Sequence, residues 1–168
     1  MSTTPASLHD TLLQLAETLK QRGWMLATAE SCTGGMIAAA CTDVAGSSEW
    51  FDRGFVTYSN AAKTEMLGVP ADLIRQHGAV SQEVAQAMAV GAIKHSHAQV
   101  SIAVTGIAGP SGGTVDKPVG TVWFSWAIGD QLQTACIQWH GNRQTVRECT
   151  LQHALQHLCQ LIASATTP

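Results

Sequence analysis

The chain has 168 residues, of which 45% are hydrophobic and only 12% charged, and its formal net charge is −3. That length suits one domain with a sizeable core. The charge offers no electrostatic footprint for nucleic acid, and no apolar run approaches the length of a membrane span. With so few charges, part of the surface is expected to be covered by a second copy of the chain, giving a homodimer. No basic segment followed by an apolar stretch opens the chain, so no signal peptide is read there. Five cysteines (Cys32, Cys41, Cys136, Cys149 and Cys159) show no paired spacing. They are read as reduced thiols of a cytoplasmic protein rather than a disulfide framework or a zinc site.

Residues 1–6 read as a loose tail. A helix is predicted from Ser7 to Arg22, with Leu8, Leu12, Leu15, Ala16 and Leu19 on one face, a capping box of Ser7 and Asp10, and Gly23 past its end. Trp24–Thr28 reads as a short buried strand, followed by the turn Ala29-Glu30-Ser31-Cys32-Thr33-Gly34-Gly35 and a helix from Met36 to about Thr42. After a turn over Val44–Ser48, a strand is predicted over Glu49–Tyr58, then helices over Ala61–Leu67, Ala71–His77 and Gln82–His95. Val100–Val104 reads as a short strand of the buried type. The loop Thr105–Gly113 holds four glycines and a proline in nine residues and therefore presents shaped backbone. Val119–Ile128 and Leu132–Trp139 form a hairpin around Gly129-Asp130, and the last helix runs from about Gln144 to Ala163. This order predicts a single domain over residues 1–168, a three-layer α/β/α sandwich with a mixed, mostly parallel sheet.

Three segments with small polar residues each follow a predicted strand: the Ser31 turn, Tyr58 to Lys63, and Thr105–Gly113. A fourth, Gly141–Arg147, opens the last helix. Strand ends of one sheet can converge on one pocket. The Ser31 turn aims backbone N–H groups and a helix dipole at whatever binds there, and suits a phosphate, an oxyanion or a nucleophilic serine; it is equally compatible with a plain capped turn. No histidine falls in these loops, so a Ser-His-Asp arrangement is not read. A lysine neutralised by burial can replace histidine as the base, and Lys63 is the candidate. Its bland alternative is a solvated helix lysine. Tyr58, the only tyrosine, is a candidate for assistance or a core aromatic. Cys32 competes with Ser31, because a helix N-terminus depresses a thiol pKa. Arg143 and Arg147 lie one turn apart at a helix start, which is unfavourable unless an anion binds; the alternative is an ion pair with Glu148 or a neighbouring copy. His153 and His157 are at i, i+4, but nothing beside them completes a metal set, and no metal or cofactor is expected.

Taken together, Thr28–Gly35, Gly46-Ser47-Ser48, Gly54–Asn60 with Lys63, Leu67-Gly68-Val69 and Thr105–Pro110 resemble, in the same order, the signature of the CinA C-terminal domain family. The resemblance covers nearly the whole chain. It implies a nicotinamide-nucleotide amidohydrolase of the stand-alone form, converting nicotinamide mononucleotide to nicotinic acid mononucleotide and ammonia in pyridine nucleotide salvage, as a homodimer without metal. It implies Ser31 as nucleophile, Lys63 as base and Tyr58 assisting. Substrate contacts are expected from Glu30, Cys32, Thr33, Gly34, Gly35, Ser48, Asn60, Thr105, Gly106, Ile107, Ala108, Gly109, Gly112, Arg143 and Arg147. Asn142 departs from the acidic residue expected in this family, which bears on how Arg143 is oriented. The rival class is a non-catalytic nucleotide-binding or scaffold module, which would bind without turnover and tolerate loss of Lys63.

Overall fold

The structure, a computed structural model, describes residues 7–165. The expected tail at 1–6 lies outside the described residues. The elements follow in the predicted order: α1 (Leu8–Arg22), β1 (Leu26–Glu30), α2 (Met36–Thr42), β2 (Phe51–Val56), α3 (Asn60–Leu67), α4 (Ala71–His77), α5 (Gln82–Lys94), β3 (Val100–Gly106), β4 (Thr121–Ile128), β5 (Gln131–Gln138) and α6 (Arg143–Ser164). The sheet order is β2-β1-β3-β4-β5. β1 pairs in parallel with both β2 and β3, while β3–β4 and β4–β5 are antiparallel. The sheet is thus mixed: the pairings divide evenly, but four of the five strands point the same way. Their carboxyl ends, with the start of β4, form one rim.

Strand alternation sorts the core into two layers. Leu26 of β1, Val100, Ile102 and Val104 of β3, and Val122, Phe124, Trp126 and Ile128 of β4 face α1, α2 and α6. Leu15, Leu19, Leu155, Leu158 and Ile162 close that layer, all fully buried. Each such side chain contributes roughly 1.5–3 kcal/mol. The other face carries small residues, Ala27, Ala29, Ala103 and Ala127, and α5 lies against them with Val84, Met88 and Ala92. Ser101 Oγ donates to the Ala89 carbonyl at 2.8 Å, so a polar residue fits this close face. Gly91 is required by the same crowding, because a Cβ there would collide with the Leu67 carbonyl of α3.

Boundaries moved where local geometry outweighed apolar pattern. β1 starts at Leu26, two residues late, and runs on to Glu30; Trp24 is buried before it, with the Arg22 guanidinium 4.7 Å from its ring centroid. β2 begins at Phe51, because Gly46 at φ +80° leads Ser47–Glu49 into a short 3-10 turn, and Tyr58 lies past its end. β3 extends to Gly106, as Thr105 and Gly106 pair with Trp123 and Val122. β4 begins at Thr121, after Gly120 at φ +92° packs on the Trp139 backbone. The capping box is present: Ser7 Oγ accepts from Asp10 N at 3.1 Å and Asp10 Oδ2 from Ser7 N at 3.3 Å. His153 and His157 stack on one another beside Trp126, with Phe124 and Trp139 against His153, an aromatic packing role.

Candidate active site

At the rim of carboxyl strand ends lies a cleft of about 270 Å³. Its walls come from the Ser31 turn after β1, Tyr58 and Asn60 after β2, Lys63 of α3, Thr105–Gly112 at the end of β3, and Arg143 of α6. The four segments singled out in the sequence do converge. Ala79 and Val80, in the turn between α4 and α5, and Ser111 complete the wall. Sequence reading missed the first two because that turn follows a helix rather than a strand. What holds it there is Thr105, whose Oγ1 donates to the Ala79 carbonyl at 2.8 Å.

Lys63 is 1% exposed and sits where α3 turns its first inward face to the core. Its Nζ is 3.1 Å from Ser31 Oγ and 2.9 Å from the Thr57 carbonyl, with the Tyr58 carbonyl at a longer 3.5 Å. Among the described residues no carboxylate pairs with it. Burial pushes its pKa down, opposed more weakly by the nearby Cys32. Its amine is satisfied inside the protein, donating to the Thr57 carbonyl and to the Ser31 hydroxyl. The solvated-lysine alternative is therefore wrong for this residue.

The turn itself is built differently from the sequence expectation. Glu30 is fully buried, and its Oε1 accepts from Thr33 Oγ1 at 2.6 Å and Ile37 N at 2.9 Å, its Oε2 from Ala38 N at 3.0 Å. The helix start meant for a ligand anion is thus already occupied by an internal carboxylate. Glu30 is turned away from the cleft and is a cap of α2 rather than a wall residue. The Cys32 thiol is raised to about 11, chiefly by burial, and only partly offset by its own backbone N–H, Arg147 and Lys63. The depression expected of this thiol is replaced by a rise, because the side chain is buried. Gly34 and Gly35 bend the turn at φ +60° and +105°, a region that a side chain strains. They and the Thr33 side chain, which turns to Glu30, stand behind the cleft rather than in its wall.

The two arginines have separate partners. Arg143 Nη1 donates to the Gly109 carbonyl at 2.9 Å and its Nη2 to the Tyr58 hydroxyl at 3.0 Å. The Tyr58 hydroxyl therefore meets Arg143, not Lys63; only the Tyr58 carbonyl approaches the amine. Arg147 points inward instead, with Nε 3.0 Å from the Cys32 carbonyl and Nη2 3.2 Å from the Thr33 carbonyl. The Glu148 alternative fails, since Glu148 accepts from Gln144. Asn142 caps α6, accepting from Thr145 N at 2.9 Å, so Arg143 is oriented by Gly109 and Tyr58. Ser48 is placed elsewhere: it is exposed in the 3-10 turn before β2, at the opposite end of the sheet.

The CinA C-terminal domain model matches residues 9–162, nearly the whole chain. The chain belongs to the CinA C-terminal domain family. It is 54% identical to a nicotinamide-nucleotide amidohydrolase of Enterobacter agglomerans, over 83% of this chain and 86% of that one. A protein of the same name from Escherichia coli is 48% identical over 94% of this chain and 96% of its own length. Among solved structures, the competence damage-inducible protein A of Klebsiella pneumoniae superposes with a TM-score of 0.93 at 38% identity, covering 96% of this chain and all of that one. Family membership agrees with the layered α/β architecture described above. Among the described residues no three His, Cys, Asp or Glu side chains gather as a metal site, and no helix is long and apolar enough to cross a membrane.

Proposed function

We propose that this chain is a nicotinamide-nucleotide amidohydrolase that converts nicotinamide mononucleotide to nicotinic acid mononucleotide and ammonia, acting through Ser31 and Lys63 as one CinA-type domain. The observation that carries the reading is the 3.1 Å approach of a buried lysine amine, unpaired with any carboxylate among the described residues, to a cleft serine. The names of the curated relatives supply the substrate. Lys63, neutral, takes the Ser31 proton as Oγ adds to the carboxamide carbon. The developing oxyanion faces backbone N–H groups of the Ser31 turn. Collapse expels ammonia, which carries the proton returned by Lys63. Water, deprotonated by the same amine, then frees the carboxylate product from Oγ.

Binding is assigned to the glycine loop and to Arg143. The loop's Ala108, Gly109 and Gly112 border the cleft with backbone, and Arg143 supplies the charge for the phosphate. Tyr58 is 60% exposed beside it, so its ring is given to binding rather than proton relay. Arg143→Ala is expected to raise KM about 10- to 100-fold, the value of a charge-assisted hydrogen bond, with kcat within a few-fold of the original. Steady-state kinetics on the nucleotide reads both.

The direct test is ammonia release from nicotinamide mononucleotide, with and without a chelator. Release that persists with chelator supports the serine reading. Nucleotide binding without ammonia would favour a non-catalytic module, and loss on chelation would favour a metal reaction. A cytoplasmic setting fits five free cysteines. We also propose a homodimer, on the low charge and on exposed Leu13, Val56, Met66, Val90 and Leu132. Sedimentation at micromolar concentration should give twice the chain mass; a 17.7 kDa species alone would remove this claim.

A further inference from the structure

The Ser31 turn has all three of its first carbonyls committed. The Ser31 carbonyl accepts from Gly34 N at 3.0 Å, and the Thr33 carbonyl from Met36 N at 3.1 Å. The Cys32 carbonyl is held by Arg147 Nε at 3.0 Å, and Arg147 Nη2 reaches the Thr33 carbonyl at 3.2 Å. In a planar trans peptide the C=O and the following N–H point in opposite directions. Pinning the Ser31 and Cys32 carbonyls therefore fixes the aim of the Cys32 and Thr33 N–H groups. Among the described residues neither of these N–H groups donates to another residue. Successive unpartnered N–H groups of this kind form an anion-binding concavity. Cys32 borders the cleft next to Ser31, whereas Arg147 does not border it.

We propose that Arg147 is a positioning residue for the Ser31 centre: its guanidinium grips the Cys32 carbonyl and thereby sets the Thr33 N–H, which receives the oxyanion beside the Cys32 N–H, while its second contact ties down the Thr33 carbonyl, all without touching substrate. This rests on the amidohydrolase reading above. The two arginines of α6 then divide the work. Arg143 reaches over the cleft to Gly109 and Tyr58, and Arg147, one helical turn on, braces the turn from behind. The planar fork of arginine meets two carbonyls at once, and a positive charge behind a carbonyl strengthens the N–H on the other side of its peptide. Lysine at this position would reach one carbonyl with a point charge.

The test uses Arg147→Lys and Arg147→Gln in the full chain, with nicotinamide mononucleotide kinetics, thermal denaturation, and the rate at which phenylmethanesulfonyl fluoride labels Ser31. Arg147→Gln is expected to lower kcat about 100-fold, at the mild end of losing an oxyanion donor outright, with KM within about twofold. Arg147→Lys should recover part of that loss, and Ser31 labelling should slow in the same order. A rise in KM with kcat retained would overturn the proposal and make Arg147 a direct phosphate ligand. A loss of kcat no larger than the loss of folded protein would also overturn it. The labelling arm needs no amide substrate. Wild-type protein that labels at Ser31 but releases no ammonia sinks the substrate assignment alone. Labelling at the wild-type rate in both variants sinks the positioning role.

Discussion

Ser31→Ala and Lys63→Ala are each expected to lower kcat by roughly four orders of magnitude, and the double variant to be hardly worse than either, because a nucleophile and its base act as one unit. The physical ground is the state of Lys63. A free lysine with pKa near 10.4 is neutral in well under a hundredth of molecules at pH 7. Burial of Lys63 with no carboxylate partner among the described residues pushes its pKa down and enlarges that neutral fraction. Activity should rise with pH as Lys63 loses its proton and fall on the acid side as it gains one. That limb should lie below the ordinary lysine range and disappear from the residual rate of Lys63→Ala. Lys63→Arg should not rescue, since arginine stays charged and cannot take the Ser31 proton. Cys32→Ala should remain active, as its thiol is held protonated up to about 11. Substantial activity in Lys63→Arg would make Lys63 an anion-binding charge. Activity in Ser31→Ala, lost in Cys32→Ala, would move the nucleophile one residue along. Because Lys63 also satisfies the Thr57 carbonyl, thermal denaturation of each variant separates a lost base from a lost fold.

What the sequence displayed well was periodic or local. The apolar face of α1 and the Ser7–Asp10 cap both depend on neighbours a few residues away. Residue types at three strand ends and one helix start were enough to gather Ser31, Lys63, Thr105 and Arg143 into one cleft. The geometry that relates them was not legible, because it runs through backbone atoms that every residue possesses. Arg147 finds its carbonyls 114 and 115 residues away, and nothing in its own neighbourhood says so. Ala79 and Val80 join the wall only because Thr105 pulls on a carbonyl. Ser48 shares a motif with small polar residues of the other loops, yet it precedes β2 instead of following it, and the parallel pairing of β1 with β2 carries it to the far rim.

Glu30→Ala is expected to destabilise the protein by roughly 3 kcal/mol and to depress kcat beyond the loss of folded molecules. Adjacent to Ser31, Glu30 invites assignment to the substrate, but its carboxylate accepts from Thr33 Oγ1, Ile37 N and Ala38 N and is fully buried. Alanine would leave two buried donors and a half-buried one without acceptors, each buried one costing about 1–3 kcal/mol before relaxation, and a hole in place of the side chain. For a chain of this size a loss of about 3 kcal/mol lowers Tm by roughly 6–12 °C. Glu30→Gln separates the two roles more sharply. It keeps the shape, but its amide must place an N–H group against a backbone N–H of α2, so Tm should fall by a smaller amount while KM stays unchanged. A substrate-contacting carboxylate would behave in the opposite way, with Tm constant and KM raised. The effect on kcat follows from the chain path: Glu30 ties β1 to the first turn of α2, and Ser31 sits in the link between them. Loosening α2 at Ile37 and Ala38 releases the turn that holds Ser31 Oγ at 3.1 Å from Lys63, so the nucleophile loses its base even in molecules that remain folded.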